Sequence, residues 1–332
     1  MTLRPTMTDV AVAASVSLKT VSRVVNREPG VTLATVDRVE EAIARLGYRR
    51  NEMARTLRHG RVSRTLGLVI EDVANPFYSA IARGVEEETR ARGFLVIAGS
   101  SDEDPERERV LLDMFCERRV DGLLVVPAGS DHRFLLPELR HGTPIVFIDR
   151  PPGRINADVI LLDNLGGART AVEHLLAGGH RRIAIVADTV TIATSQDRYQ
   201  GYRDALAAAG VVVDPALVRL GPHDTAGAEQ AVRDLLALPS GPTAIFTGNN
   251  RMTIGALRAL AGNRRVALVG FDDLEFAELV TPQVTVIAYD AAELGRGAAR
   301  LLWERLSGDR RPVQRIVLPT TLVPRGSGEI AA

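Results

Sequence analysis

Thr8-Asp-Val-Ala-Val-Ala-Ala-Ser-Val-Ser-Leu-Lys-Thr-Val-Ser-Arg-Val-Val-Asn26 decides how the N-terminal part of this chain folds. Thr6 just ahead of it is a good N-cap, and Asp9 stands three residues on, where an acid supports a helix start. Val10, Ala13 and Ala14 mark one face of a first helix, and Ser15-Val16-Ser17 interrupts it. Ser17 can cap a second helix, in which Val21, Val24 and Val25 recur at helical spacing. Its other face carries Lys19, Ser22 and Arg23. Two short helices about a three-residue turn make a helix-turn-helix, whose second helix enters the DNA major groove. The residue types suit that task. Lys19 and Arg23 leave one face as i, i+4 neighbours, and an arginine can grip guanine O6 and N7 with two parallel bonds. Thr20, Ser22 and Asn26 are short polar groups suited to phosphate oxygens. A merely solvated face on a small helical domain is the competing reading, and the capped turn argues against it.

Working outward, Thr32 is placed to cap a third helix with Val36, Val39, Ile43 and Leu46 as its inner stripe and Gly47 at its end. Asn51 to Gly60 is basic and poor in apolar residues, so it is marginal as an isolated helix and is expected to fold only with DNA and a partner chain. The formal net charge of +0 argues against a nucleic-acid binder until its distribution is seen. Residues 1–60 hold ten Lys/Arg against six Asp/Glu, so a basic head sits on a mildly acidic body.

The run from Thr8 to Asn26 resembles the head of the lactose-repressor (LacI-type) family of transcriptional regulators, and the resemblance continues to near residue 325. It implies that Leu18, Lys19 and Arg23 read bases while Thr6, Thr20, Ser22 and Asn26 hold phosphates. Tyr48, Asn51, Ala54 and Leu57 match the family's hinge. Hinge helices from two subunits would then lie in the minor groove with Leu57 wedged into the central base step, at a cost of roughly a few kcal/mol of unstacking offset by contacts on bent DNA. Arg50 departs from the proline many relatives carry there.

From residue 64 onward, short apolar runs such as Leu66–Ile70, Ile145–Ile148, Ile183–Ala187 and Val266–Val269 alternate with helix-length amphipathic segments. Buried strands alternating with helices indicate parallel sheets covered on both faces. Gly84-Val and Gly201-Tyr are each followed, seven residues later, by a second glycine (Gly93, Gly210) and an apolar residue. That weak repeat predicts two doubly wound parallel-sheet lobes of periplasmic-binding-protein type, which the family core resembles. The expected boundaries are 1–50 for the all-α head, 51–63 for the hinge and 64–332 for the α/β core. Within the core, lobe 1 takes about 64–162 and 290–318, and lobe 2 about 163–289 and 319–330.

Ligands of such sheets bind beyond the carboxyl ends of the strands. Candidates there are the run from Asp72 through Asn75 and Phe77 to Tyr78, then Asp149-Arg150, Arg198, Asn249-Asn250 and Asp272-Asp273. The resemblance implies effector contacts for Phe77, Asp149, Arg198, His223, Asn249 and Asp272. Relatives often carry aspartate where Asn250 stands. Asp163-Asn164 reads as a helix cap, His180 as a structural residue closing a helix, and Cys116 as an inert packed thiol. Leu322-Val-Pro-Arg-Gly-Ser327 is spelled like a thrombin cleavage site, but the resemblance places it on the last strand, where relatives often carry the same arginine and serine.

Other function classes fit less well. The chain lacks a Gly-x-Gly-x-x-Gly after a strand, a P-loop and a Gly-x-Ser-x-Gly, and its six histidines lack metal spacing, so no enzyme, cofactor or metal site is expected. One cysteine, no apolar run near the ~18–20 residues of a membrane span and no export signal point to the cytoplasm. A small-molecule binding protein without a DNA role, exported or cytoplasmic, would explain the core but not the head. The expected partners are double-stranded operator DNA, a second copy of the chain, and a sugar or nucleoside-like effector, with no membrane.

Overall fold

A computed structural model describes residues 5–48 and 63–332. The hinge positions Asn51, Ala54 and Leu57, like Arg50, lie outside the described residues. The chain divides into two units, Met1–Ser63 and Arg64–Ala332.

In the first unit, α1 (Met7–Ala13), α2 (Leu18–Val25) and α3 (Leu33–Leu46) surround a small core in which Val10, Val21 and Val39 are fully buried. At about 1.5–3 kcal/mol per buried aliphatic side chain, these few residues decide whether the unit folds. Thr6 and Asp9 form the reciprocal capping box: the Thr6 backbone N–H donates to Asp9 Oδ2 at 2.7 Å, and the Asp9 N–H to Thr6 Oγ1 at 3.3 Å. The Ser17 hydroxyl accepts from the Thr20 N–H at 3.1 Å, starting α2. Two expectations are corrected. Thr32 stands at the N-cap of α3, but its hydroxyl bonds the Thr35 hydroxyl (2.9 Å) instead of a backbone N–H. Val36 is only half-buried and outside the core, while Ala42, one turn after Val39, is buried in it.

The second unit holds two sheets of six strands. The first has the order β11-β5-β4-β3-β1-β2, from β1 (Thr65–Ile70), β2 (Leu95–Ser100), β3 (Gly122–Val125), β4 (Ile145–Ile148), β5 (Asp158–Leu162) and β11 (Arg315–Leu318), all parallel. The second has the order β12-β10-β9-β8-β6-β7, from β6 (Ile183–Ala187), β7 (Val218–Leu220), β8 (Ala244–Thr247), β9 (Ala267–Phe271), β10 (Thr285–Ala288) and β12 (Thr321–Val323). Both lobes carry the expected parallel sheet, with β12 alone running antiparallel, against β10 at one edge. Each strand order matches the other position for position.

Helices cover both faces. In lobe 1, α4 (Pro76–Arg90) packs against α11 (Ala291–Leu306); in lobe 2, α7 (Asn164–Ala177) packs against α8 (Ala193–Ala208). The chain therefore passes between lobes after β5, after β10 and after β11. The glycine repeat acquires a physical cause. A Cβ on Gly84 would lie 2.0 Å from Ala292 O, and one on Gly201 would lie 2.3 Å from Leu165 O, so only glycine lets each helix pair cross so closely. Gly93 and Gly210 have φ of +70° and +68°, a left-handed turn that ends each helix before the next strand.

Ser327 is buried, donating to Leu268 O at 2.6 Å, and Arg325 pairs with Asp273 at 2.6 Å, so Leu322–Ser327 is woven into lobe 2. Among the described residues no helix is long and apolar enough to cross a membrane.

Candidate functional site

Two surfaces collect the candidate residues, one on each unit. On α2 the buried valines turn the polar side outward: Lys19 is exposed, Leu18 is 45% exposed, and Thr20, Ser22 and Arg23 are half-buried. Among the described residues neither the Lys19 nor the Arg23 side chain has a hydrogen-bond or ion-pair partner, so both cations are free to meet phosphate or base. Ser22 accepts from Asn26 Nδ2 at 3.3 Å, and Ser17 and Thr20 share a hydroxyl contact at 2.8 Å. The Tyr48 side chain packs against the head core.

The second surface is a cleft between the two lobes, at the carboxyl ends of their strands. Residues from both lobes line it, and the space it holds in this closed arrangement is small, about 40 Å³. Phe77, Asp149, Arg198, Asn249 and Asp272 all line it. His223 does not. It lines an adjoining outer cavity of about 620 Å³ and reaches the inner one through Asp188, whose Oδ1 it bonds at 2.9 Å. Burial alone would lower the His223 pKa, but the Asp188 bond and charge raise it above the ordinary value.

The pseudo-repeat places equivalent acids opposite one another. Asp149 follows β4 and Asp272 follows β9, and both are left-handed, with φ of +67° and +76°. Aspartate tolerates this region better than most residues, and each kink turns a carboxylate toward the cleft. Asp272 accepts from the Asn250 backbone N–H at 2.9 Å and from the Tyr289 hydroxyl. Asp149 is 3% exposed, and its Oδ1 has no hydrogen-bond partner among the described residues. Burial pushes its carboxyl above the usual range, partly offset by Arg150 and Arg198.

Arg198, on α8, donates to Asn164 Oδ1 at 2.8 Å and Gly248 O at 2.5 Å, and lies 3.9 Å over the Phe271 ring. Asn164 thus holds an arginine in place, and only Asp163 caps α7, through the Gly166 N–H at 2.8 Å. His180 is structural as expected, bonded to Thr243 Oγ1 (2.9 Å) and Ile330 O (2.8 Å). The Cys116 thiol, half-buried, is pushed up to about 11 by burial and the nearby Glu138 and Asp113, which keeps it unreactive.

Several cleft residues escaped the sequence reading. Glu71 and Asp188 directly follow β1 and β6, so the strand-end rule could have found them. Glu71 accepts from the Tyr78 hydroxyl at 2.6 Å, and Arg150 reaches Glu71, Tyr78 and Glu103 together. Burial opposes the Arg150 charge, but Tyr78, Glu103 and Asp149 outweigh it and hold its pKa well above normal. Arg251, on α10 (Asn250–Ala259), carried no signal in the sequence, because its role depends on the facing lobe. It donates to Glu71 Oε1 at 3.2 Å and Asp72 Oδ2 at 2.5 Å. Beside it, Asn250 Nδ2 donates to Asn75 Oδ1 at 2.8 Å. These contacts clasp lobe 2 to lobe 1. An aspartate at 250 would have no hydrogen to offer Asn75. Among the described residues, no group of three or more His, Cys, Asp or Glu side chains could hold a metal ion.

Residues 6–51 match the model of bacterial regulatory proteins of the lacI family, and residues 172–328 match a periplasmic binding protein-like domain. The HTH-type transcriptional regulator CelR of Thermobifida fusca is 38% identical over 339 residues, covering 98% of either chain. A solved CelR–cellobiose complex superposes with a TM-score of 0.72 at 33% identity, over 98% of this chain and 100% of that one. The lac repressor dimer bound to operator and the anti-inducer ONPF superposes at 0.83 with 26% identity, over 98% and 99%.

Proposed function

The chain belongs to the lacI family of bacterial regulatory proteins, whose helix-turn-helix head binds DNA and whose core binds an effector, and from that premise we propose that it is a cytoplasmic repressor holding a palindromic operator as a homodimer until a sugar-like effector enters the cleft. The carrying observation is that one chain presents, among the described residues, two cationic side chains on α2 without a side-chain partner, Lys19 and Arg23, and a polar cleft lined from both lobes. Lys19, Arg23 and Leu18 read bases; Thr6, Thr20, Ser22 and Asn26 meet phosphates. In the cleft, Phe77 and Asp149 come from lobe 1, and Arg198, Asn249 and Asp272 from lobe 2. A ligand touching both lobes favours one closure angle, and it can act on DNA only through that differential affinity. Coupling of about 1–3 kcal/mol changes operator affinity roughly 5–150-fold, and operator DNA changes effector affinity by the same factor. The matched relative is a transcriptional regulator, and a solved form of CelR carries cellobiose, which supports a saccharide over other small polar ligands.

The test is to select an operator from a library of random palindromes and titrate it with and without sugars, for wild type and Asp272→Ala. Wild type should bind a palindrome and respond to a sugar, and the variant should lose the response. No palindrome selected would refute the DNA role, and a normal response in the variant would move the effector out of the cleft.

A further inference from the structure

Of the 41 Lys and Arg residues in the chain, one alone is lysine: Lys19. Every other cation is a guanidinium, which keeps its charge at any ordinary pH and does not take an acyl group under mild conditions. An ammonium differs. Acylation turns it into a neutral amide, removing one positive charge and leaving a single N–H donor in place of three. Apart from a terminal amine, the chain therefore offers acyl chemistry one side-chain amine, and that amine stands on the helix whose polar face points outward from the head.

Its surroundings suit the chemistry. Lys19 is the second residue of α2 and is exposed, and among the described residues no carboxylate or carbonyl holds its ammonium. The rival nucleophile is shielded: the Cys116 thiol is half-buried and pushed up to about 11, so it stays protonated. Arg23, one turn along α2, leaves the same face and is likewise without a side-chain partner among the described residues, so its fork can hold a phosphate beside the amine. An anionic donor is thus drawn to the one side chain it can modify.

We propose that Lys19 is an acylation site, modified by a small acyl phosphate steadied by Arg23, and that its modification releases the head from DNA. The amine gives one proton to water, and its lone pair then attacks the acyl carbon. The N–C bond forms, the bond from that carbon to the phosphate oxygen breaks, and phosphate leaves with the electron pair. The nitrogen passes a second proton to the departing phosphate and remains as a neutral amide. Each head loses a positive charge on the face that meets DNA, and operator affinity follows the supply of acyl donor independently of the cleft. This rests on α2 being the DNA-reading helix.

The experiment treats the full chain with acetyl phosphate in mildly alkaline buffer, maps the acetylated positions by peptide mass spectrometry and follows operator binding by fluorescence anisotropy. The expected result is acetylation at Lys19 and the terminal amine, slower at Lys19 in Arg23→Ala, and blocked at Lys19 when operator is bound first. Operator affinity should fall roughly tenfold or more in step with Lys19 acetylation, and the slope of log affinity against log salt should shrink by about one for each head. Lys19→Arg, which offers no side-chain amine, should keep after treatment whatever affinity it had before. Acetylation confined to the terminal amine, an acetylated Lys19 chain that holds operator as tightly as the untreated one, or an equal loss on treatment of Lys19→Arg overturns the proposal. An unchanged rate in Arg23→Ala overturns the part given to Arg23. An untreated chain that binds no palindrome would count against the DNA role of the previous section, and the acylation site is then judged by the peptide masses and by the Arg23→Ala rate.

Discussion

Replacing Arg251 with alanine removes the guanidinium that ties lobe 2 to Glu71 and Asp72 on lobe 1. Hydrogen bonds to charged groups contribute about 1.5–3 kcal/mol when well buried. Here the Arg251 side chain is 25% exposed and Asp72 29%, so solvent screens part of the gain and about 1–2 kcal/mol for the clasp is the reasonable figure. No stranded charge inflates it. Glu71 keeps the Tyr78 hydroxyl at 2.6 Å and Arg150 at 3.4 Å, and Asp72 has access to water. A loss of that size lowers the ratio of clasped to open lobes roughly 5–30-fold. Small-angle X-ray scattering without added ligand should therefore show a larger radius of gyration for Arg251→Ala than for wild type, and Asn250→Ala should move the same way. Scattering curves that superimpose, with unchanged melting temperature, would refute the argument and reduce the Arg251 contacts to surface decoration.

Gly84→Ala forces a Cβ to within 2.0 Å of Ala292 O, so α4 and α11 must part; overpacking of about 1–3 kcal/mol or more should outweigh the ~1 kcal/mol gain in helix propensity and lower the melting temperature by several degrees. An unchanged melting temperature would contradict the crossing geometry. Arg23→Ala should cost about 1–3 kcal/mol per base pair read and relax specificity at that pair, whereas uniform weakening across sequences would make Arg23 a phosphate contact. Since His223 has a folded pKa above its ordinary 6.5, its contribution is fully present below that value and fades as pH rises through the folded pKa. His223→Gln should flatten this decline in a melting-temperature profile, and an identical profile would rule out the Asp188 pairing.

The head was legible because its signals are local. Caps, valine spacing and Gly47 act within a few residues; among the described residues the reading slipped at Thr32, whose hydroxyl chose a neighbouring side chain, at Val36, and at Ala11, which is buried in place of Ala13. In the core, fully buried strands such as Ile145–Ile148 and Ile183–Ala187 were readable as apolar runs. Two of the edge strands were not: Val218–Leu220 and Arg315–Leu318 are short and partly exposed. The cleft was half legible. Residues placed by a strand end, such as Asp149, Asn250 and Asp272, follow from topology, while Arg251 acquires its partners only when the other lobe arrives from about 180 residues away.

Those passages of the chain between lobes also set a timetable for synthesis. Lobe 1 is not complete until α11 and then β11, ending at Leu318, have been made, and lobe 2 waits for β12 just beyond. The three-helix head needs nothing past its own first fifty or so residues. At roughly 5–20 residues per second on the ribosome, a finished head can wait something like a quarter of a minute to a minute before either sheet gains its last strand. From the synthesis of β5 until α11 is made, β3, β4 and β5 lack the helix that packs on them. A nascent chain of this design should therefore depend on chaperones for its core and not for its head.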